Sequence, residues 1–390
     1  MKNRRVAALI ETSRGYGRGM IRGVAQYCRE HPHWAVFFRP QGLGELPPPW
    51  LKDWKGDGVL ARVANRMGAE AVLETGLPTV DLRGAFPDLG LPHVGSDNQM
   101  LARIALDHLR ERGLRQFAFC GLRRGENAHN DNRCDQFVQL VEANGFSCEV
   151  SQEVTLLRRP ETWDDAQTRL AKWVKSLPKP VGIMACNDDC GLEVLNACQF
   201  AEVRVPQEVA VISVDNDEYV CTLSMPPMSS IDIASERIGY DAAALLDRMM
   251  AGETPTKQSL AIPPGSVIAR QSTDMLATDD ALVIDALAFI RDHAGDGIRL
   301  ADVVRRLGVS RATLETRLKA VTGQTIHREI QRVRIENVKS LLGTTDLPLK
   351  QIARRCGFKY TQHLSRVFRE STGETPIQFR GKSRDFRKGP

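Results

Sequence analysis

Residues 300–325 read LADVVRRLGVSRATLETRLKAVTGQT and residues 349–375 read LKQIARRCGFKYTQHLSRVFRESTGET, one helix-turn-helix pattern written twice. In the first copy Leu300, Val303, Val304 and Leu307 fall at i, i+3, i+4 and i+7, the apolar face of a helix. Leu349, Ile352, Ala353 and Cys356 repeat that spacing in the second. Gly308 and Gly357 follow at matching positions, where glycine takes the left-handed backbone that ends a helix. The second helices carry Leu314 with Leu318, and Leu364 with Val367 and Phe368, and both copies close on Thr-Gly-x-Thr at 322–325 and 372–375. One amphipathic helix pair is commonplace, but two in register predict tandem helix-turn-helix units at about 300–321 and 349–371.

Charge divides the chain at the same place. From residue 281 onward there are 22 Lys and Arg against 11 Asp and Glu, a net of +11. The whole chain has 53 against 48, so residues 1–280 carry 31 against 37, a net of −6. A basic end on an acidic body is the electrostatic footprint of a nucleic-acid module, and the expected partner is double-stranded DNA. A recognition helix needs short polar or forked side chains opposite its apolar stripe, because the major groove presents donors and acceptors on base edges. Thr361, Gln362, Ser365 and Arg366 stand opposite Leu364 and Phe368, and Arg311, Glu315 and Thr316 stand opposite Leu314 and Leu318. Arg366 suits guanine and Gln362 adenine, while Glu315 either accepts from a cytosine amine or pairs with Lys319 at i+4. Lys319, Arg369 and Arg380 are assigned to phosphate, which positions a protein without reading sequence, and Ser310 to an N-cap.

The ending Phe-Arg-x-x-x-Gly-x-Thr-Pro-x-x-x-Arg is supplied by Phe368, Arg369, Gly373, Thr375, Pro376 and Arg380. With it, residues 281–384 resemble the DNA-binding domain of the AraC family of bacterial transcription regulators. The resemblance implies an all-α domain, 281–390, in which a long helix joins the two units. Residues 326–342 supply that helix, with Ile326, Ile330, Val333, Val338 and Leu341 inward. Two such units enter successive major grooves roughly 34 Å apart. RNA polymerase is a further partner left open.

The preceding residues have the length for one or two further cores. Nine cysteines without a Cys-x-x-Cys fit a reduced, cytoplasmic protein, and Cys186 and Cys190 have no further histidine or cysteine nearby, so no metal is expected. The apolar run 6–10 is cut off by Glu11, too short for a signal peptide, and nothing approaches a membrane span. Strands are predicted at 5–10, 35–38, 58–63, 79–82, 116–120, 150–154, 181–186, 209–214 and 259–267. Helices are predicted at 19–30, 99–112, 133–144, 163–176, 191–201 and 234–251. Nearly continuous apolar strands alternating with amphipathic helices describe a doubly wound α/β pattern with parallel sheets, in two copies.

In such sheets ligands bind beyond the carboxyl ends of the strands. Those ends carry Glu11, Ser13 and Arg14, then Asn187 and Asp188, then Asp215 and Asn216. Carboxylates that accept from paired hydroxyls beside a donating arginine suit a polyhydroxylated ligand. Tyr16 either stacks on a sugar ring or starts a helix with its hydroxyl in water, and Asp188 and Asp215 either meet the ligand or cap helices; Asp97 is read as an N-cap.

Ala185-Cys186-Asn187-Asp188, Val211-Ile212-Ser213-Val214-Asp215-Asn216 and Arg133 with Phe137 opening a helix make residues 5–272 resemble the sugar-binding core of LacI-family repressors and periplasmic sugar-binding proteins. That likeness implies a two-lobed domain, 1–273, with Asp188, Asp215 and Arg133 on the ligand, and a linker at 274–280 as the coupling point. LacI relatives begin with their own helix-turn-helix, whereas four residues precede the first strand here, so DNA reading is expected at the other end. A LacI-type core ahead of an AraC-type reader resembles the xylose operon regulators, as do Gly56-Asp57-Gly58-Val59 and Arg270-Gln271-Ser272-Thr273-Asp274. The resemblance implies D-xylose as effector, activation of pentose genes and a homodimer. Arg62 and the 11–14 loop depart from it where small polar or acidic groups are usual, so another sugar or a sugar phosphate stays open.

No dinucleotide-binding glycine motif, phosphate loop, nucleophile elbow or His-Glu-x-x-His is present, and no catalytic residue or cofactor is expected. An architectural DNA-binding protein with a ligand-free dimerisation core is the alternative from another class. Residues 281–390 expressed alone are expected to retard duplex DNA in a gel with strong salt dependence; a fragment that leaves duplex unshifted at low salt contradicts this reading.

Overall fold

The computed structural model describes residues 3–154, 162–255, 259–274, 280–345 and 347–381. They fall into two compact units, 1–277 and 278–390. Of the expected linker, 275–279 lie outside the described residues.

The first unit has two lobes. The first lobe begins with β1 (Arg4–Leu9), α1 (Gly15–Glu30), β2 (Trp34–Phe38), β3 (Gly58–Ala61), α2 (Arg66–Leu73), β4 (Thr79–Asp81) and β5 (His93–Ser96). The chain then crosses to α3 (Asn98–Glu111), β6 (Gln116–Leu122), α4 (Ala128–Ala143), β7 (Cys148–Val154), α5 (Trp163–Ser176), β8 (Val181–Ala185), α6 (Asp188–Phe200), β9 (Val209–Val214), α7 (Glu218–Leu223) and β10 (Ser229–Ile231). It returns as α8 (Ser235–Met250) and β11 (Ser259–Ile262) and crosses a third time to β12 (Val267–Ile268). Among the described residues the strands make two six-stranded sheets, β11-β5-β4-β3-β1-β2 and β12-β10-β9-β8-β6-β7. All pairings are parallel except β10 with β12. Helices cover the strands, so the apolar runs are needed: Val6, Leu60 and Val80 pack on Met20, Val24 and Ile238 in one lobe, and Phe119 and Ile212 pack on Leu106 and Phe137 in the other.

The predicted strand 259–267 is two strands in different sheets. Pro263, Pro264 and Gly265 separate them, because proline has no N–H to give a ladder. β5 and β10 were not anticipated, since His-Val-Gly-Ser and Ser-Ser-Ile do not read as apolar runs. Ser229 and Ser230 are nonetheless fully buried, the Ser229 hydroxyl bonding the Thr273 hydroxyl at 2.7 Å. Several helices start earlier than their apolar periodicity: α1 at Gly15, α4 at Ala128 and α6 at Asp188. Arg133 therefore lies in the second turn of α4 and does not open it. Asp97 caps α3 as expected, accepting from the Met100 N–H.

The second unit comprises α9 (Ala281–His293), α10 (Leu300–Leu307), α11 (Arg311–Thr322), α12 (Ile326–Thr344), α13 (Leu349–Arg355) and α14 (Thr361–Thr372). Helix α12 serves two cores. Ile326, Ile330 and Val333 pack with Val303, Leu314 and Leu318, and Ile335, Val338 and Leu342 pack with Ile352, Leu364, Val367 and Phe368. Ile335 and Leu342 thus join the inner side read from the sequence, while Leu341 is half-buried. Gly308 and Gly357 have φ of +66° and +73°, and a Cβ at Gly357 would stand 2.3 Å from the Ala294 carbonyl oxygen, so the second turn tolerates no other residue. Phe368 is fully buried at the centre of its core. Phe368→Ala is expected to destabilise the reader by about 3–5 kcal/mol in denaturant unfolding, whereas Ile377→Ala, 77% exposed, should stay within about 0.5 kcal/mol; equal effects would contradict this packing.

Candidate functional site

The chain beyond β1, β3, β4, β6, β8 and β9 converges on one cleft between the lobes. About 570 Å³ there is not filled by protein, part of it open to solvent. Arg14, Tyr16, Arg62 and Arg83 line it from the first lobe, and Asn130, Arg133, Asn187, Asp189 and Asp215 from the second.

Asp215 sits in unusual backbone, with φ of +113°, followed by Asn216 at +53°. A non-glycine pair in that region persists only where its surroundings over-determine it. The fastening is Asp188. Its buried carboxylate accepts from the Ser213 hydroxyl, from the Ser230 hydroxyl at 2.6 Å and from the Asp217 N–H at 2.6 Å. The Asn216 N–H donates to the Ser230 hydroxyl at 3.0 Å, and the Asn216 side chain accepts from Arg270 at 2.8 Å. Among the described residues the Asp215 carboxylate accepts no hydrogen bond. Burial, and then the Asp188 charge, pushes its pKa well above the carboxylate range. Burial also raises Asp188, to about 6, against the pull of its donors, the Ser213 and Ser230 hydroxyls foremost.

On the opposite wall Glu11 is ion-paired to Arg62 at 2.9 Å, and the Arg62 guanidinium lies 4.9 Å above the Tyr16 ring. Burial raises the Tyr16 pKa, so its hydroxyl stays protonated. Several contacts join the lobes. Arg14 donates to Asp189 at 2.8 Å, and the Gly15 N–H to Asp217 at 2.5 Å. Arg133 spans the floor, its Nε donating to Asn98 at 2.9 Å, Nη2 to the Ser96 hydroxyl at 3.0 Å, and Nη1 to the Cys186 carbonyl. His129 is held neutral by burial and then by Arg133, its Nε2 standing 3.2 Å from the Ser96 hydroxyl.

Of the residues named from the sequence, Tyr16, Arg133 and Asp215 line the cleft together. Asp188, Glu11 and Asn216 stand behind it, each engaged by a protein partner, and Ser13 is exposed outside the lining. Because α6 begins at Asp188, capped by Asn187 through the Cys190 N–H, the carboxylate on the cleft is Asp189, one position later. Arg83, Asn130 and His129 were also missed. Arg83 lies in a segment that reads as a turn, and the other two in the first turn of a helix whose start periodicity could not locate. Asparagine caps at 127 and 187 were the available signal.

On the recognition helices Arg311, Thr316, Lys319, Gln362, Arg366 and Arg369 are exposed, and Glu315, Thr361 and Ser365 half-buried. Ser310 caps α11 through the Thr313 N–H. Glu315 pairs with Arg311 at 3.1 Å, not with Lys319, and Arg366 pairs with Glu370 at 3.3 Å. Exposed pairs of this kind contribute about 0–1 kcal/mol and are readily exchanged for base contacts. Arg380, assigned to phosphate, donates from Nη2 to the Leu347 carbonyl at 2.7 Å, beside the start of α13. Among the described residues no cluster of His, Cys, Asp or Glu is arranged to hold a metal, and no helix is long and apolar enough to cross a membrane.

Two domain families match the chain: the periplasmic binding protein-like domain over residues 106–273 and a helix-turn-helix domain over 303–382. The xylose operon regulatory protein of Escherichia coli is 33% identical over 387 residues, 97% of each chain. That of Haemophilus influenzae is 32% identical over 382 residues, 96% of this chain and 98% of its own. A solved structure of the xylose-binding transcription activator XylR superposes with a TM-score of 0.80 at 32% identity, covering 98% of both chains. Likeness of this depth runs through both the cleft domain and the tandem reader, and the chain belongs to the family of the xylose operon regulatory proteins.

Proposed function

We propose that the chain is a cytoplasmic, sugar-responsive transcription activator of pentose utilisation genes, with D-xylose the first effector to test. The observation that carries it is the unpartnered Asp215 carboxylate, presented to a polar cleft in a chain that also holds two helix-turn-helix units. In this reading Asp215, Asp189 and the amides of Asn130 and Asn187 take sugar hydroxyls, Arg133 donates from the floor, and Tyr16 offers its ring edge beneath Arg62. Asp188, Glu11 and Asn216 act one step back, by holding the groups that touch ligand. The relatives' names, which speak of xylose, support the choice of sugar.

Sugar bridging the lobes favours the closed arrangement, in which Arg14–Asp189 and Gly15–Asp217 are made. Closure changes how two protomers pair through their cores, and so how paired readers are spaced on DNA and present themselves to RNA polymerase. Coupling of about 1–3 kcal/mol, roughly 5–150-fold in affinity, makes DNA binding weaker without sugar, not absent. The site is a receptor and leaves the sugar unchanged.

Calorimetric titration tests this. The protein should bind D-xylose or a close analogue in a 1:1 ratio, and Asp215→Asn should weaken that binding at least tenfold while basal DNA affinity stays within twofold. Loss of DNA binding together with sugar binding would contradict the division of labour. In the reader, Arg366→Ala should cost about 1–3 kcal/mol at one base pair of the operator and little elsewhere. A uniform loss across all sequences would make Arg366 a phosphate contact instead.

A further inference from the structure

The cleft holds buried arginine donors that no acceptor of the protein takes up. Of its four arginines, Arg14 is matched by Asp189 at 2.8 Å and Arg62 by Glu11 at 2.9 Å. Arg133 is held by neutral acceptors only: Asn98, Ser96 and the Cys186 carbonyl. Arg83 has none of these. It is 7% exposed, lines the cleft, and its Nε and Nη1 are buried with no hydrogen-bond partner; the Nε of Arg62 is in the same condition.

The carboxylate closest to Arg83 in sequence, Asp81, is turned to other work. It accepts from the N–H groups of Arg83 at 2.9 Å, Gly84 at 2.9 Å and Val63 at 3.4 Å. Asp215 remains across the cleft, and its raised pKa reduces the negative charge it offers. Burial first, and the neighbouring Arg62 next, lowers the Arg83 pKa to about 10 against the attraction of Glu11 and Asp81, neither of which takes a hydrogen bond from its buried Nε and Nη1. A buried guanidinium with idle donors is destabilising unless an acceptor completes it, and an anion does so most strongly. Arginine's fork is also the geometry that carboxylate and phosphate accept in parallel bonds.

We infer that the inner end of the cleft, at Arg83 and the free edge of Arg62, binds an anionic group carried by the effector, a carboxylate or a phosphate on a pentose-sized polyol. The inference rests on the proposed role of the cleft as effector site and sharpens it: the hydroxyl-bearing part of the ligand lies toward Asp215 and Asp189, and its acidic end toward Arg83. It places the preferred effector downstream of the free pentose, after an oxidation to the sugar acid or after isomerisation and phosphoryl transfer to the ketose phosphate.

The test is a calorimetric series on the full-length protein with D-xylose, D-xylonate, D-xylulose 5-phosphate and inorganic phosphate, repeated with Arg83→Met and Arg83→Lys. The expected result is that D-xylonate or D-xylulose 5-phosphate binds at least tenfold more tightly than D-xylose. The preference should shrink to within about threefold in Arg83→Met and persist in part in Arg83→Lys. Which of the two acids binds distinguishes carboxylate from phosphate. Equal or tighter binding of D-xylose overturns the inference and leaves the proposed function standing. An acid preference undiminished in Arg83→Met overturns the assignment to Arg83. Binding of none of the compounds overturns the proposed function and this inference with it. Melting curves of both variants without ligand check folding, and the wild-type series decides the matter if a variant fails to fold.

Discussion

A buried carboxylate set behind the lining of the cleft governs it. Asp188 gathers two serine hydroxyls and one backbone N–H, and through them fixes the strand ends of β9 and β10 and the turn between β9 and α7. That turn is where Asp215 and Asn216 adopt left-handed backbone, a conformation costing of order 1–3 kcal/mol per residue. Without the fastening the turn relaxes, and Asp215 no longer aims its carboxylate into the space between the lobes. Receptor chemistry at the surface of the cleft is thus set by hydrogen bonds one layer below it.

The same layering recurs on the facing wall, where Glu11 steadies Arg62 and Arg62 in turn covers the Tyr16 ring. Between the walls, Arg133 spends one donor on each of three acceptors drawn from the first lobe, the crossing into α3 and the second lobe. A ligand that engages both walls adds to contacts that already span them, which is how binding energy becomes a preference for one lobe arrangement. The two halves of the reader share α12, and each carries an independent apolar core.

The large features were legible in the sequence because they rest on periodicity. The duplicated pattern with Gly308 and Gly357 specified both helix-turn-helix units, and the apolar runs specified most of the parallel strands. What was not legible follows from the same cause. Short strands built from Ser, Gly and His carry no apolar signal, so β5 and β10 were missed although both are buried among neighbouring strands. Helix starts are polar, so α4 and α6 were placed several residues late. An offset of that size is enough to confuse Asp188, which turns inward, with Asp189, which lines the cleft. Asp215 directly follows the apolar strand β9, and Tyr16 and Arg133 lie in early turns of helices that follow apolar strands, whereas Arg83 depends on a turn whose direction no spacing rule reveals.

Coupling between the two units is the claim on which the functional account turns. Fluorescence anisotropy of the full-length protein on a labelled duplex from its own promoter region, titrated with the effector found by calorimetry, measures it directly. The account predicts a rise in DNA affinity whose midpoint matches the calorimetric dissociation constant, and no response from residues 281–390 alone. A full-length protein that binds the sugar while its DNA affinity and operator spacing stay unchanged would contradict it.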